Sequence, residues 1–217
     1  MCMAIPSRII ELAGEMATVE AFGDQRSVSL MLMNDEVALM PTASREQILN
    51  EVLPGIEGDE RFAQQPDWQE RLMETGSLAR MQSQPLLAEL LREDGVSILA
   101  RFLARLFEMV ELLDRLRNPT SAPGWVQGTN LRQGAGLAWV QTARGLLLHR
   151  AELDEQGAVK DYRIVAPTEW NFHPNGAFVG ALTGKSAASA DEARRDAELL
   201  VQALDPCVAY SLEIEHA

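Results

Sequence analysis

The chain has 217 residues and only two thiols, Cys2 and Cys207, one near each end. No secretory leader is expected ahead of Cys2, so a disulfide framework is disfavoured and both are read as reduced thiols. A reduced cysteine is either an inert packing group or, as the thiolate, a soft metal ligand. Cys207 lies in Asp205-Pro206-Cys207-Val208-Ala209-Tyr210, directly after the helical run Glu198-Leu199-Leu200-Val201-Gln202-Ala203-Leu204. Asp is a favoured N-cap and Pro is tolerated in a first turn. The pattern therefore predicts Cys207 in the first turn of a terminal helix, where free N–H groups and the helix dipole favour the thiolate. Of the histidines, His149 is read as a strand-packing residue, His173 precedes Pro174 in a loop and His216 lies in the tail. There is no nucleophile elbow, Walker loop or zinc spacing. Gly134-Ala135-Gly136 is rejected as a dinucleotide loop, because no strand is expected before it and no third glycine follows in register.

Composition narrows the class of protein. A hydrophobic content of 47% and a charged content of 24% are ordinary for a soluble globular chain able to bury a core. The net charge of −13 opposes binding to nucleic acid or to an anionic membrane surface. No apolar run approaches the ~20 residues of a membrane helix, and a cytoplasmic location is expected.

Several elements would have to position the thiols. Arg8-Ile9-Ile10-Glu11-Leu12, Met16 to Phe22 and Arg26 to Met33, separated by Ala13-Gly14-Glu15 and Gly23-Asp24-Gln25, predict three short antiparallel strands. Ser44-Arg45-Glu46-Gln47 is a capping box opening a short helix that Pro54-Gly55 should stop. The strongest helical pattern runs from Val96 to Arg117, with Leu99, Phe102, Leu103, Leu106, Met109, Val110, Leu113 and Leu116 on one wide apolar face. That face is expected in the core, with a partner-binding helix as the minor alternative. Arg105–Glu108 and Glu111–Arg115 are spaced for surface pairing. Asn118 to Gly124 reads as a hinge. Leu146 to Leu153 and Ala158 to Val165, around Asp154-Glu155-Gln156-Gly157, predict a β-hairpin.

Read in order, these residues carry a family resemblance. Met1-Cys2-Met3-Ala4-Ile5-Pro6 and the following strands, about residues 1–33, resemble the small HypC/HupF hydrogenase maturation chaperones, whose fold is an OB-like barrel. Glu74-Thr75-Gly76-Ser77-Leu78-Ala79-Arg80, Arg144-Gly145, Pro167-Thr168, Trp170-Asn171 and Asp205-Pro206-Cys207 resemble ordered motifs of nickel-iron hydrogenase large subunits over about residues 65–210. Ser77, Gln141, Ala143, Glu169 and Tyr210 depart from those motifs, and Tyr210 stands where the family has its last cysteine. The resemblance implies an α+β fold, a helix-rich large-subunit-like core with a β-hairpin at residues 43–217. A short antiparallel β segment resembling part of an OB-like barrel would precede it at residues 1–42.

In the family, four thiolates hold nickel and iron, and the iron carries cyanide and carbon monoxide. Two cysteines cannot build that centre, so neither nickel nor hydrogen turnover is expected. The resemblance instead implies a maturation scaffold of the HupK/HoxV kind, a non-enzyme that carries or assembles an Fe(CN)2(CO) fragment. Cys207 and Cys2 would be its thiolate ligands, and Arg144 and Thr168 would donate hydrogen bonds to cyanide. Pro167 would keep the pocket dry. HypC/HypD-type maturation proteins and a hydrogenase large subunit would be its partners. The alternative is a metal-free large-subunit mimic that binds a hydrogenase subunit or maturation factor by shape. The plain structural readings of the same residues are a surface ion pair for Arg144, a turn hydroxyl for Thr168 and a place buried in a helix for Cys207.

Overall fold

A computed structural model describes the backbone of residues 7–13, 16–21 and 24–29, and all of residues 38–117 and 124–214. Cys2, His216 and most of the expected hinge lie outside the described residues. The first three strands form as the pattern predicts. Strands β1 (Ser7–Ala13), β2 (Met16–Ala21) and β3 (Asp24–Ser29) make an antiparallel sheet in that order, with a bulge between Ile9 and Glu11. A barrel is not closed by these strands alone.

The Ser44 capping box is present in both directions. The Gln47 N–H donates to Ser44 Oγ and the Ser44 N–H donates to Gln47 Oε1. It opens α1 (Arg45–Gln47), but the helix does not stop at Pro54. A π-helical stretch (Ile48–Val52) follows, and then α2 (Leu53–Gly58). The π turn resets the hydrogen-bond ladder, so Pro54 falls in the first turn of α2, where its missing N–H costs little.

Strand β4 (Ala38–Leu39) pairs in parallel with β5 (Met73–Glu74), which leads into α3 (Ser77–Met81). Then come α4 (Pro85–Asp94) and α5 (Ile98–Arg117). A four-stranded antiparallel sheet follows: β6 (Val126–Arg132), β7 (Ala135–Thr142), β8 (Gly145–Leu153) and β9 (Val159–Val165). The expected β8–β9 hairpin is therefore present, and two further strands precede it. A strand does stand before Gly134, contrary to the sequence reading. Gly134 (φ 75°) takes the left-handed conformation of a hairpin turn, and β7 follows it instead of a helix, so there is still no dinucleotide loop. Helices α6 (Pro167–Asn171), α7 (Ala177–Leu182) and α8 (Ala190–Leu204) close the fold. No helix among the described residues is long and apolar enough to cross a membrane.

One face of the four-stranded sheet supplies the main core. Leu137 and Trp139 of β7, and Leu146 and Leu148 of β8, pack with Ile48, Val52, Ile56, Phe62, Trp68 and Trp170. Strict alternation places these residues on one side of the sheet.

Helix α5 contradicts the expected rotation. Its buried residues are Ala100, Arg101, Ala104 and Glu108, whereas Leu99, Leu106, Met109, Val110, Leu113 and Leu116 are exposed. Ion pairing explains this orientation. Arg101 is bidentate to Glu74, at 2.9 and 2.7 Å, with the two side chains 3% and 2% exposed. Glu108 takes Arg80 and the Ser77 hydroxyl. Rotating α5 to bury its leucines would strand those charges in a dry interior, a penalty of several kcal/mol. Ala100 and Ala104 are small enough for α3 to approach closely. The two expected surface pairs divide: Glu111–Arg115 forms, but Arg105 instead donates to the Gln202 and Ala203 carbonyls.

Candidate metal-fragment site and its supporting junction

Four segments far apart in sequence meet at the N-terminal end of α3. The Thr75 N–H donates to Asn171 Oδ1 at 2.8 Å, and the Leu146 N–H donates to Thr75 Oγ1 at 3.0 Å. Gly145 has φ +132°, and a Cβ there would lie 2.3 Å from Thr75 Cγ2. Gly76 has φ +120°, and its Cβ would meet the Arg144 carbonyl oxygen at 3.1 Å. Both glycines are needed for left-handed backbone and for close approach. Glu74 and Arg101 complete the junction from β5 and α5. Sequence reasoning gave Thr75 and Asn171 no role. Their membership of ordered motifs was the available signal, because a polar residue required by a buried junction looks locally like a loop residue.

Arg144 sits in the β7–β8 turn, its own N–H donating to Thr142 Oγ1 at 3.2 Å. Its side chain crosses to the end of α8, where Nε donates to the Asp205 carbonyl at 3.1 Å and lies 3.3 Å from Asp205 Oδ2. Asp205 has φ 53° and ψ 68°, a left-handed C-cap whose N–H donates to Val201 O. This overturns the expected terminal helix. Asp205 ends α8 instead of starting a new helix, and no helix is formed from Pro206 to Ile214. With Cys207, Ala209, Tyr210 and Ser211 all exposed, no packed face repays helix nucleation in so short a stretch. Cys207 therefore does not lie in the first turn of a helix of its own.

Cys207 is a free, exposed thiol. Its N–H points at Thr168 Oγ1 across 3.5 Å, at the limit of a hydrogen bond. Thr168 follows the buried Pro167 in the first turn of α6. The structure thus brings together Arg144, Asp205, Pro206, Cys207, Thr168 and Pro167; Cys2 is outside the described residues. A small polar crevice beside Arg144 is also lined by Thr75, Ser77, Arg105, Asn171 and Leu204, and includes neither Pro167, Thr168 nor Cys207. A larger cleft of about 250 Å³ opens from Asp205 and Ala143 towards Arg80, Glu108, Leu112 and Trp125.

The donor set can be judged by its chemistry. No group of three or more His, Cys, Asp or Glu residues able to hold a metal exists among the described residues. Cys207 alone offers one soft donor, with a hydroxyl and a guanidinium nearby. Such a set suits a metal fragment that brings most of its own ligands, and does not suit a bare cation.

Two ionisable groups near the site have shifted pKa values. Burial raises Glu169, next to Thr168, to about 7, so its carboxyl is half protonated near neutral pH. Burial lowers His173 to about 4, with nearby Asp67 opposing the shift weakly, so the ring is neutral. The His173 Nδ1 accepts the Asn175 N–H at 3.1 Å, which holds this imidazole in a structural role. His149 stacks on Tyr162 and shares a 2.6 Å hydrogen bond with its hydroxyl, in keeping with strand packing.

Residues 25–212 fit the nickel-dependent hydrogenase family, and residues 1–39 fit the HupF/HypC family. The hydrogenase expression/formation protein HoxV of Cupriavidus necator is 38% identical over 186 residues, covering 81% of this chain and 46% of the relative. The hydrogenase expression/formation protein HupK of Azotobacter vinelandii is 42% identical over 114 residues, covering 52% of this chain and 32% of the relative. The chain thus spans less than half the length of either. The reduced nickel-iron-selenium hydrogenase of D. vulgaris Hildenborough superposes with a TM-score of 0.50 at 19% identity, over 93% of this chain and 51% of that one, which is a likeness of fold. By the extent of the match and the junction of its motifs, the chain belongs to the nickel-dependent hydrogenase family and begins with a segment similar to the HupF/HypC chaperones.

Proposed function

We propose that this protein acts in hydrogenase maturation as a non-catalytic carrier of the Fe(CN)2(CO) fragment, which it passes to a hydrogenase large subunit. The observation that carries the reading is the convergence of Arg144, Thr168 and Cys207 at the end of α8, beside a rigid junction built from the other family motifs. The fragment is cargo and supplies its own diatomic ligands. Cys207 would give it one thiolate. Arg144 would turn from Asp205 to donate N–H groups to a cyanide nitrogen, and Thr168 would offer its hydroxyl to the other. Pro167 would cover the apolar side. Cys2 would supply the second thiolate from the HupF/HypC-like segment, so that one chain holds both halves of the site. The relatives named for hydrogenase expression and formation support the maturation role. Partners of the HypC/HypD type and a hydrogenase large subunit follow from it, as does action in the reducing cytoplasm. The presence of two cysteines in these 217 residues, against the four thiolates of a nickel-iron centre, supports the non-catalytic reading.

One observation favours a second reading, a metal-free mimic that recognises a hydrogenase subunit by shape: Arg144 is already engaged by Asp205 in the surface ion pair that a residue without a cyanide partner would form. Iron content separates the two. The protein, isolated anaerobically from cells that also express the maturation proteins, should hold about one iron per chain. Cys2→Ala and Cys207→Ala should each lose it. Full stoichiometry in Cys2→Ala would end the two-cysteine site, and iron-free wild-type protein would leave the mimic.

A further inference from the structure

The outward face of α5 has a spacing that the core does not use. Leu99, Phe102, Leu106, Met109, Leu113 and Leu116 recur at steps of three, four, three, four and three, the a/d seam of a coiled coil. All six are exposed, from Phe102 at 38% to Leu116 at 77%. The opposite face is fixed in the core by Ala100, Arg101, Ala104 and Glu108, so the seam cannot turn inward.

We propose that this seam is a self-association surface, through which two copies of the chain pair by antiparallel packing of their α5 helices. The seam is complementary to itself in that direction. Placing Leu106 against the partner copy's Met109 also sets Phe102 against Leu113 and Leu99 against Leu116, and all six layers are then filled. Charge selects the same direction. A parallel pair would set Arg117 beside its own copy at the same end. An antiparallel pair brings Arg117 to the other end, where the exposed Asp94 and the Arg92–Glu93 ion pair precede α5 by a few residues and leave a net negative charge. Covering these side chains together with Val110 removes on the order of 700 Å² per copy, close to the ~800 Å² per side of a standard stable interface. A competing cover is the chain's own β1–β3 sheet. A sheet presents side chains in period-two rows, whereas a 3-4 seam mates with a second helix.

Sedimentation of the purified 217-residue chain over the micromolar range tests this. The expected result is a reversible dimer of twice the chain mass. Leu106→Glu combined with Leu113→Glu should weaken it by at least ~100-fold, as expected for charges at an interface centre. The thermal melt of the monomer should be unchanged, since both side chains are exposed there. Direction is read in a Cys2→Ser/Cys207→Ser background. Mixing L99C chains with L116C chains should give an oxidised cross-link, and neither alone should. A monomer throughout, a dimer indifferent to the two glutamates, or self-cross-linking of L99C would each overturn the proposal.

Discussion

The two polar assemblies at the heart of this molecule are adjacent and built on opposite terms. In the junction, Glu74, Thr75, Arg101 and Asn171 are buried, and their hydrogen bonds run to one another or to backbone. At the end of α8, Arg144 and Asp205 are about 40% exposed, Cys207 is exposed, and one long contact joins Cys207 to Thr168. A desolvated pair cannot be opened without leaving a bare charge, whereas a half-exposed pair contributes at most ~1 kcal/mol and can be exchanged. The contrast is what the proposed carrier role would need: a frame that does not move beside a group that could take up and release the fragment.

The largest effect should come from breaking the frame. Glu74→Ala leaves the Arg101 guanidinium buried and unpaired, and should cost about 3–5 kcal/mol in denaturant unfolding. Gly145→Ala combines a forbidden backbone conformation with a collision against Thr75, and should cost about 2–4 kcal/mol, measured in the same way. Asn171→Ala strands the Thr75 N–H and should cost about 1–3 kcal/mol. At the other assembly, Cys207→Ser should change stability by less than ~0.5 kcal/mol, because the thiol is free and exposed. A loss there as large as that of Asn171→Ala would erase the distinction between the two regions.

The boundary between them should also respond to pH. Glu169 has its pKa raised when folded, so its stabilising protonated form is complete below the unfolded value near 4.5 and is lost as pH rises through about 7. His173 has its pKa depressed, so stability falls as pH drops from about 6.5 towards 4. The two oppose each other between about 4.5 and 6.5. Glu169→Gln should therefore raise the melting temperature at pH 8 more than at pH 5, and an equal shift at both would contradict the assignment.

Local pattern made much of this fold legible. Hydrophobic alternation marked the first strands and the β8–β9 hairpin, and the Ser44–Gln47 box marked its helix start. Strands β6 and β7 were missed because β6 is a polar edge strand, although the alternation of Ala135, Leu137 and Trp139 was there to read. Periodicity identified the apolar side of α5 but not its neighbour. The rotation is set by Arg101 and Glu108, whose partners lie 27, 28 and 31 residues away. Asp205-Pro206 reads equally well as a helix start or as a stop, and only the left-handed φ of Asp205 decides between them. The ordered motifs supplied the candidate site residues, but the exposure of Cys207 depends on that stop.

The most direct test of Cys207 as the iron-fragment ligand is an infrared spectrum of the anaerobically isolated protein beside its Cys207→Ser variant, both co-expressed with the hydrogenase maturation proteins. The expected result is a set of cyanide and carbonyl stretches that move with isotope labelling in the wild-type protein and are missing from the variant. The same bands at the same intensity in Cys207→Ser would contradict the account.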